Sequence, residues 1–148
     1  ACSFGGARYV IPLEMARAFE VHHAKPRILV VEDVADVREM YMEYLSHLGF
    51  RVEGAENGRD AVRKAISHHQ AVIVMDLAMP IMDGWEAIRI LRADPRTKAI
   101  PIVVLTGQAQ PEPLALAKAV GATEVITKPC LPAQLGDVIV STLSHATH

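Results

Sequence analysis

The chain has 148 residues, 51% of them hydrophobic and 22% charged, with a formal net charge of -2. That length predicts a single domain able to bury about 68–70% of its unfolded surface without staples. The hydrophobic fraction excludes a disordered chain, and the near-balance of charge excludes a module that binds nucleic acid through a basic face.

Cys2 and Cys130 allow at most one bridge, so no disulfide scaffold is expected. No apolar run approaches the ~20 residues that span a bilayer, and no secretory signal opens the chain. The expectation is a cytoplasmic protein with no membrane insertion. Residues 1–26 read as an N-terminal extension (a tail, a linker remnant or foreign sequence), with a weak helical stripe at Leu13, Ala16 and Phe19.

From residue 27 onward, strand and helix patterns alternate. The runs Ile28–Val31, Ala71–Met75, Ile102–Leu105 and Val125–Ile126 are apolar, β-branched and unalternated, as strands buried on both faces are. Arg51–Ala55 is more polar and suits an edge strand. Val37, Tyr41, Tyr44, Leu45 and Leu48 form one helical stripe, with Asp36 and Glu39 as a capping box and Gly49 as its stop. Ala61, Val62, Ala65 and Ile66 give a second stripe, and Trp85, Ile88 and Leu91 a third. Residues 111–120, closed by Gly121, give a fourth helix, and Leu131, Leu135, Val138, Ile139 and Leu143 a fifth. Such alternation predicts an α/β fold, a doubly wound five-stranded parallel sheet over 27–143 with a tail at 144–148.

Ligands of such sheets bind outside the carboxyl ends of the strands. There the sequence places Glu32 and Asp33, then Asp76, Thr106, and Lys128 with Pro129. One acid after a strand is ordinarily a turn former or a cap. Three acids on one edge would repel each other by about 4 kcal/mol per pair at 4 Å and an effective dielectric near 20, so they call for a counter-ion. Lys128 offers one charge and a divalent ion would offer two. Only hard oxygens are on offer, which favours Mg²⁺ over zinc. Such an ion, a lysine, a hydroxyl and a free carboxylate are equipment for phosphoryl transfer.

The segment Val74–Gly84 resembles the phosphoacceptor segment of receiver domains of two-component response regulators. Val30-Val31-Glu32-Asp33, Leu105-Thr106-Gly107 and Thr127-Lys128-Pro129 resemble the family's other motifs in the family's order, with Thr106 and Lys128 lying 30 and 52 residues after Asp76. The resemblance implies a flavodoxin-like, chemotaxis-type receiver with strand order 2-1-3-4-5. It implies Asp76 as phosphoacceptor, and Glu32, Asp33, Asp76 and the backbone carbonyl of Ala78 as ligands of Mg²⁺. Thr106 and Lys128 would bind the phosphoryl group, and the Lys128-Pro129 bond would be cis. The implied partners are a sensor histidine kinase or histidine phosphotransfer protein and a downstream protein. A homodimer through the face of the fourth helix, fifth strand and fifth helix is a further arrangement it allows. Such a protein is no enzyme in the usual sense; it catalyses only its own phosphorylation and dephosphorylation.

Several positions depart from the family's habit or stand apart from it. Val125 stands where an aromatic switch residue is common, and reads as a packed strand residue. Ala78 cannot position a water for hydrolysis, though Gln108 could in part. Leu114 and Leu116 lie about 200° apart on a helix, so at least one is an output-surface candidate. Cys130 reads as a small core residue, and the His22-His23 and His68-His69 pairs as solvated. Two other readings remain: a Mg²⁺-dependent aspartyl-phosphate phosphatase, which would need an acid at Ala78, and a phosphorylation-independent interaction module.

Overall fold

The computed structural model describes residues 2–3, 10–12, 25–77, 84–107 and 111–146. The helical stripe expected within 1–26 falls outside these residues. A two-residue antiparallel pairing of Cys2–Ser3 with Val10–Ile11, which no pattern announced, lies before the main domain.

Five strands form one parallel sheet: β1 Arg27–Val31, β2 Arg51–Ala55, β3 Val72–Asp76, β4 Ile102–Thr106 and β5 Glu124–Thr127. Their order is β2-β1-β3-β4-β5, so β2 and β5 are the edges. The helices are α1 Ala35–His47, α2 Gly58–Ser67, α3 Gly84–Ala93, α4 Pro111–Val120 and α5 Pro132–Ala146. The fifth helix thus runs three residues beyond the expected end at 143.

Alternate strand residues feed two cores, as the period of two requires. Ile28, Val30, Val72, Val74, Val103 and Leu105 face α1 and α5, where they meet Tyr41, Leu45, Leu135 and Ile139. Leu29, Val31, Ile73, Met75, Ile102 and Val104 face the other side, against Ala61, Ala65, Ile88, Leu91 and Ala117. Trp85 and Val125 pack partly buried on this second core, but the Val125–Ile126 run is not the strand buried on both faces that its apolar pattern predicts: β5 has one neighbour, β4, and is half-buried with Glu124 exposed.

Helix ends correct the sequence reading at two places. No capping box opens α1: Val34 is its N-cap without a side-chain cap, and Asp36 lies in the first turn. Leu131 is not part of the α5 stripe. It precedes the helix at 65% exposure, and its N–H donates to Gln134 Oε1 at 2.9 Å, while Pro132 opens the first turn. Asn57 caps α2 by accepting from the Asp60 N–H. Gly49 and Gly121 end α1 and α4 with φ of 99° and 131°, the left-handed region where glycine carries no side-chain penalty.

Candidate phosphoacceptor site

Strand register builds the site. Val31 pairs with Met75, so Glu32, the residue after β1, falls beside Asp76 at the end of β3. Thr106 pairs with Thr127, which delivers Lys128 immediately beyond the edge strand. The Lys128 N–H donates to the Thr106 carbonyl at 2.7 Å, and the Lys128-Pro129 bond is cis.

Glu32, Asp76 and Thr106 are buried at 3–4% exposure, while Asp33 is exposed. One carboxylate oxygen from each of Glu32, Asp33 and Asp76 can be chosen so that all lie within 4.8 Å of one another. Lys128 Nζ donates to Asp76 Oδ2 at 3.1 Å and to Glu32 Oε2 at 3.5 Å. Burial pushes the Glu32 carboxyl up to about 7, helped by the Asp76 charge and opposed by Lys128. Burial alone would pull Lys128 down, but its bond to Asp76 and the two nearby carboxylates leave it raised. Among the described residues, three carboxyl groups thus gather round the Lys128 ammonium. Its donors are hard, clustered and partly open to solvent, which suits a small divalent cation that keeps some of its waters.

Three supporting contacts were not foreseen. Arg38 donates from Nη1 to the Glu32 carbonyl at 2.8 Å, fixing the backbone that carries the first acid. The Tyr41 hydroxyl donates to the Cys130 carbonyl at 2.7 Å. The Gly84 N–H donates to the Leu77 carbonyl at 3.1 Å, drawing the start of α3 against the acceptor strand. Only Gly84 lay inside a recognisable motif. The Arg38 contact spans six residues and the Tyr41 contact 89, and neither leaves a periodic trace.

Cys130 is a buried free thiol, and burial raises it further, so it is a core residue as expected. His68 and His69 are exposed as expected, though His68 Nδ1 lies 3.2 Å from the Glu53 carboxylate. Ala78 and Gln108 lie outside the described residues, as do the side chains of Leu114 and Leu116 and the His22-His23 pair.

Strand order and the ligand edge place the molecule among flavodoxin-like doubly wound α/β proteins. The family model described as response regulator receiver domain matches residues 28–140. The chain is 36% identical over 103 residues to Protein PilH of Pseudomonas aeruginosa, covering 70% of this chain and 85% of that one. It is 35% identical over 123 residues to the CAI-1 autoinducer sensor kinase/phosphatase CqsS of Vibrio cholerae, covering 82% of this chain but only 17% of that protein's length. Among solved structures, the chemotaxis protein CheY4 of Vibrio cholerae superposes with a TM-score of 0.76 at 35% identity, covering 80% of this chain and 99% of that one. The receiver domain of sensor histidine kinase PA1611 from Pseudomonas aeruginosa, solved with a magnesium ion in its active-site cleft, gives 0.75 at 30% identity, covering 82% and 99%. The chain belongs to the response regulator receiver domain family, and its fold is CheY-like. It is a signalling domain of two-component systems. No helix among the described residues is long and apolar enough to cross a membrane.

Proposed function

We propose that residues 27–143 act as a phosphoacceptor, with Asp76 taking a phosphoryl group from a phosphohistidine on a sensor kinase or phosphotransfer protein. The observation that carries this reading is the ammonium of Lys128 at 3.1 Å from Asp76, inside a cluster of three carboxylates. The Asp76 carboxylate attacks phosphorus in line. The donor's N–P bond breaks, and its electron pair stays on the imidazole nitrogen, which takes up a proton.

Glu32, Asp33 and Asp76 would hold Mg²⁺, with the carbonyl of Ala78 as a further oxygen; bound there, the ion supplies charge neutralisation for the phosphoryl oxygens. The magnesium in the PA1611 receiver supports this assignment. Lys128 then follows the charge from the carboxylate to the phosphoryl oxygens, and Thr106 donates its hydroxyl to one of them. A phosphoryl group adds about two negative charges and three strong acceptors, enough to draw the loop after β4 toward Asp76. The surface of α4, β5 and α5 would carry the change to a downstream protein, or to a second copy of the chain. Leu114 and Leu116 would lie on that surface, and Val125 leaves it without an aromatic rotamer switch. The working compartment in this reading is the cytoplasm.

Intact-mass measurement after incubation with acetyl phosphate and Mg²⁺ tests the assignment. Wild type gains one phosphoryl group and Asp76→Asn gains none. An equal gain in Asp76→Asn overturns it.

A further inference from the structure

The ammonium that serves Asp76 sits on a flexible four-carbon stem, so its position depends on how firmly its backbone is held. That backbone leaves the sheet after Thr127. It is tied at the near end by the Lys128 N–H to the Thr106 carbonyl, and two residues further on by the Tyr41 hydroxyl to the Cys130 carbonyl at 2.7 Å. Tyr41 is 4% exposed and Cys130 6%, and both belong to the same core cluster. Position 41 lies on the apolar stripe of α1, where phenylalanine would fill the same volume. The hydroxyl therefore adds one thing to packing, a buried donor for the carbonyl that follows Pro129.

We infer that Tyr41 is a positioning residue for Lys128, its phenol fixing the turn at Cys130 so that the ammonium is delivered to the acceptor carboxylate and to the group placed on it. The inference rests on the phosphoacceptor reading. The phenol's hydrogen bond goes to the Cys130 carbonyl, so its effect in this role falls on the phosphoryl end of the site through Lys128.

The experiment uses the full chain and reads Trp85, the chain's one tryptophan, which lies one residue beyond Gly84. Mg²⁺ alone is titrated first, then beryllofluoride at saturating Mg²⁺, for wild type, Tyr41→Phe, Lys128→Gln and the double variant. Loss of one buried hydrogen bond is expected to weaken beryllofluoride binding by roughly three- to tenfold in Tyr41→Phe, with Mg²⁺ affinity not weakened. In the Lys128→Gln background the same substitution is expected to change beryllofluoride affinity by less than about twofold, because the group it positions is gone. Equal beryllofluoride affinity in wild type and Tyr41→Phe overturns the inference. So does a parallel loss of Mg²⁺ affinity, or an undiminished effect in the Lys128→Gln background, since each describes general loosening of the core. Failure of wild type to bind beryllofluoride with Mg²⁺ overturns the phosphoacceptor reading itself, and this inference with it.

Discussion

Gly84 lies so close to Asp76 that a Cβ on it would stand 2.2 Å from the Asp76 carbonyl oxygen and 2.7 Å from Leu77 Cα. Both obstacles are backbone, so no side chain can swing away to make room. Gly84→Ala should therefore displace either the start of α3 or the end of β3. The expected loss is about 1–3 kcal/mol of stability, the range for overpacking a tight site. Mg²⁺ affinity should fall with it, because Asp76 moves with its own carbonyl. Thermal melts paired with Mg²⁺ titration check this, and an Ala variant with wild-type values for both refutes it.

The Glu32 carboxyl gives a pH dependence with a definite sign. Its pKa in the fold is about 7, above the ordinary 4.5, so the folded chain holds the proton more tightly than the unfolded chain. That contribution is fully present below about 4.5 and is lost as pH rises through about 7. Without metal, the melting temperature should fall between pH 5 and pH 8, and Glu32→Gln should flatten that slope. Mg²⁺ needs the carboxylate, so its affinity should rise over the same interval. A metal-free melting curve with the same slope in wild type and Glu32→Gln would refute the assignment.

Lys128 and a divalent cation compete for the same negative charge. Lys128→Gln removes the ammonium from within 3.1 Å of Asp76 and 3.5 Å of Glu32. Binding of Mg²⁺ alone near pH 8 should tighten by roughly three- to tenfold, a modest share of the Coulomb term at an effective dielectric between 20 and 80. Trp85 fluorescence reports the titration. Weaker Mg²⁺ binding would show that Lys128 organises the acids more than it repels the cation.

Arg92 provides a contrast away from the site. Its half-buried guanidinium donates to the Gly121 carbonyl at 2.9 Å, the Ile100 carbonyl at 2.6 Å and the Lys98 carbonyl at 2.8 Å, joining the end of α3 to the segments before β4 and β5. Burial pulls its pKa down, and three carbonyls hold it in place of a carboxylate. Arg92→Ala should destabilise the fold by about 1–3 kcal/mol, since the partly buried carbonyls of Ile100 and Gly121 lose their donor. Gly121→Ala should also destabilise, because its φ of 131° is strained for alanine and its Cβ would meet Arg92 Cγ at 2.7 Å. Mg²⁺ affinity should be unchanged in both. A change in that affinity would tie this clamp to the acidic pocket.

Much of this architecture was legible because β-branched runs such as Ile102–Leu105 can hardly be anything but buried strands. The acids and Lys128 were legible for the same reason, since each lies at a strand's carboxyl end or within two residues of it. The misses have separate physical causes. The start of α1 was misread because the backbone around Val34 is set by the site: the Val34 N–H points at Glu32 Oε1 at 3.4 Å, and Arg38 holds the Glu32 carbonyl. A local capping signal at Asp36 could not compete. Leu131 fitted the helical period, yet Pro132 starts the helix after it. The Tyr41–Cys130 bond spans 89 residues and carries no repeat for a sequence reading to find.

The charges of the pocket also arrive in a fixed order during synthesis. Glu32 and Asp76 precede Lys128 by 96 and 52 residues, so a ribosome releases the acids long before the ammonium that sits between them. Until β5 docks at the sheet's edge, the nascent domain carries a cluster of like charge without the Lys128 ammonium. A divalent cation held by those acids would meet that need in advance, during assembly as well as afterwards.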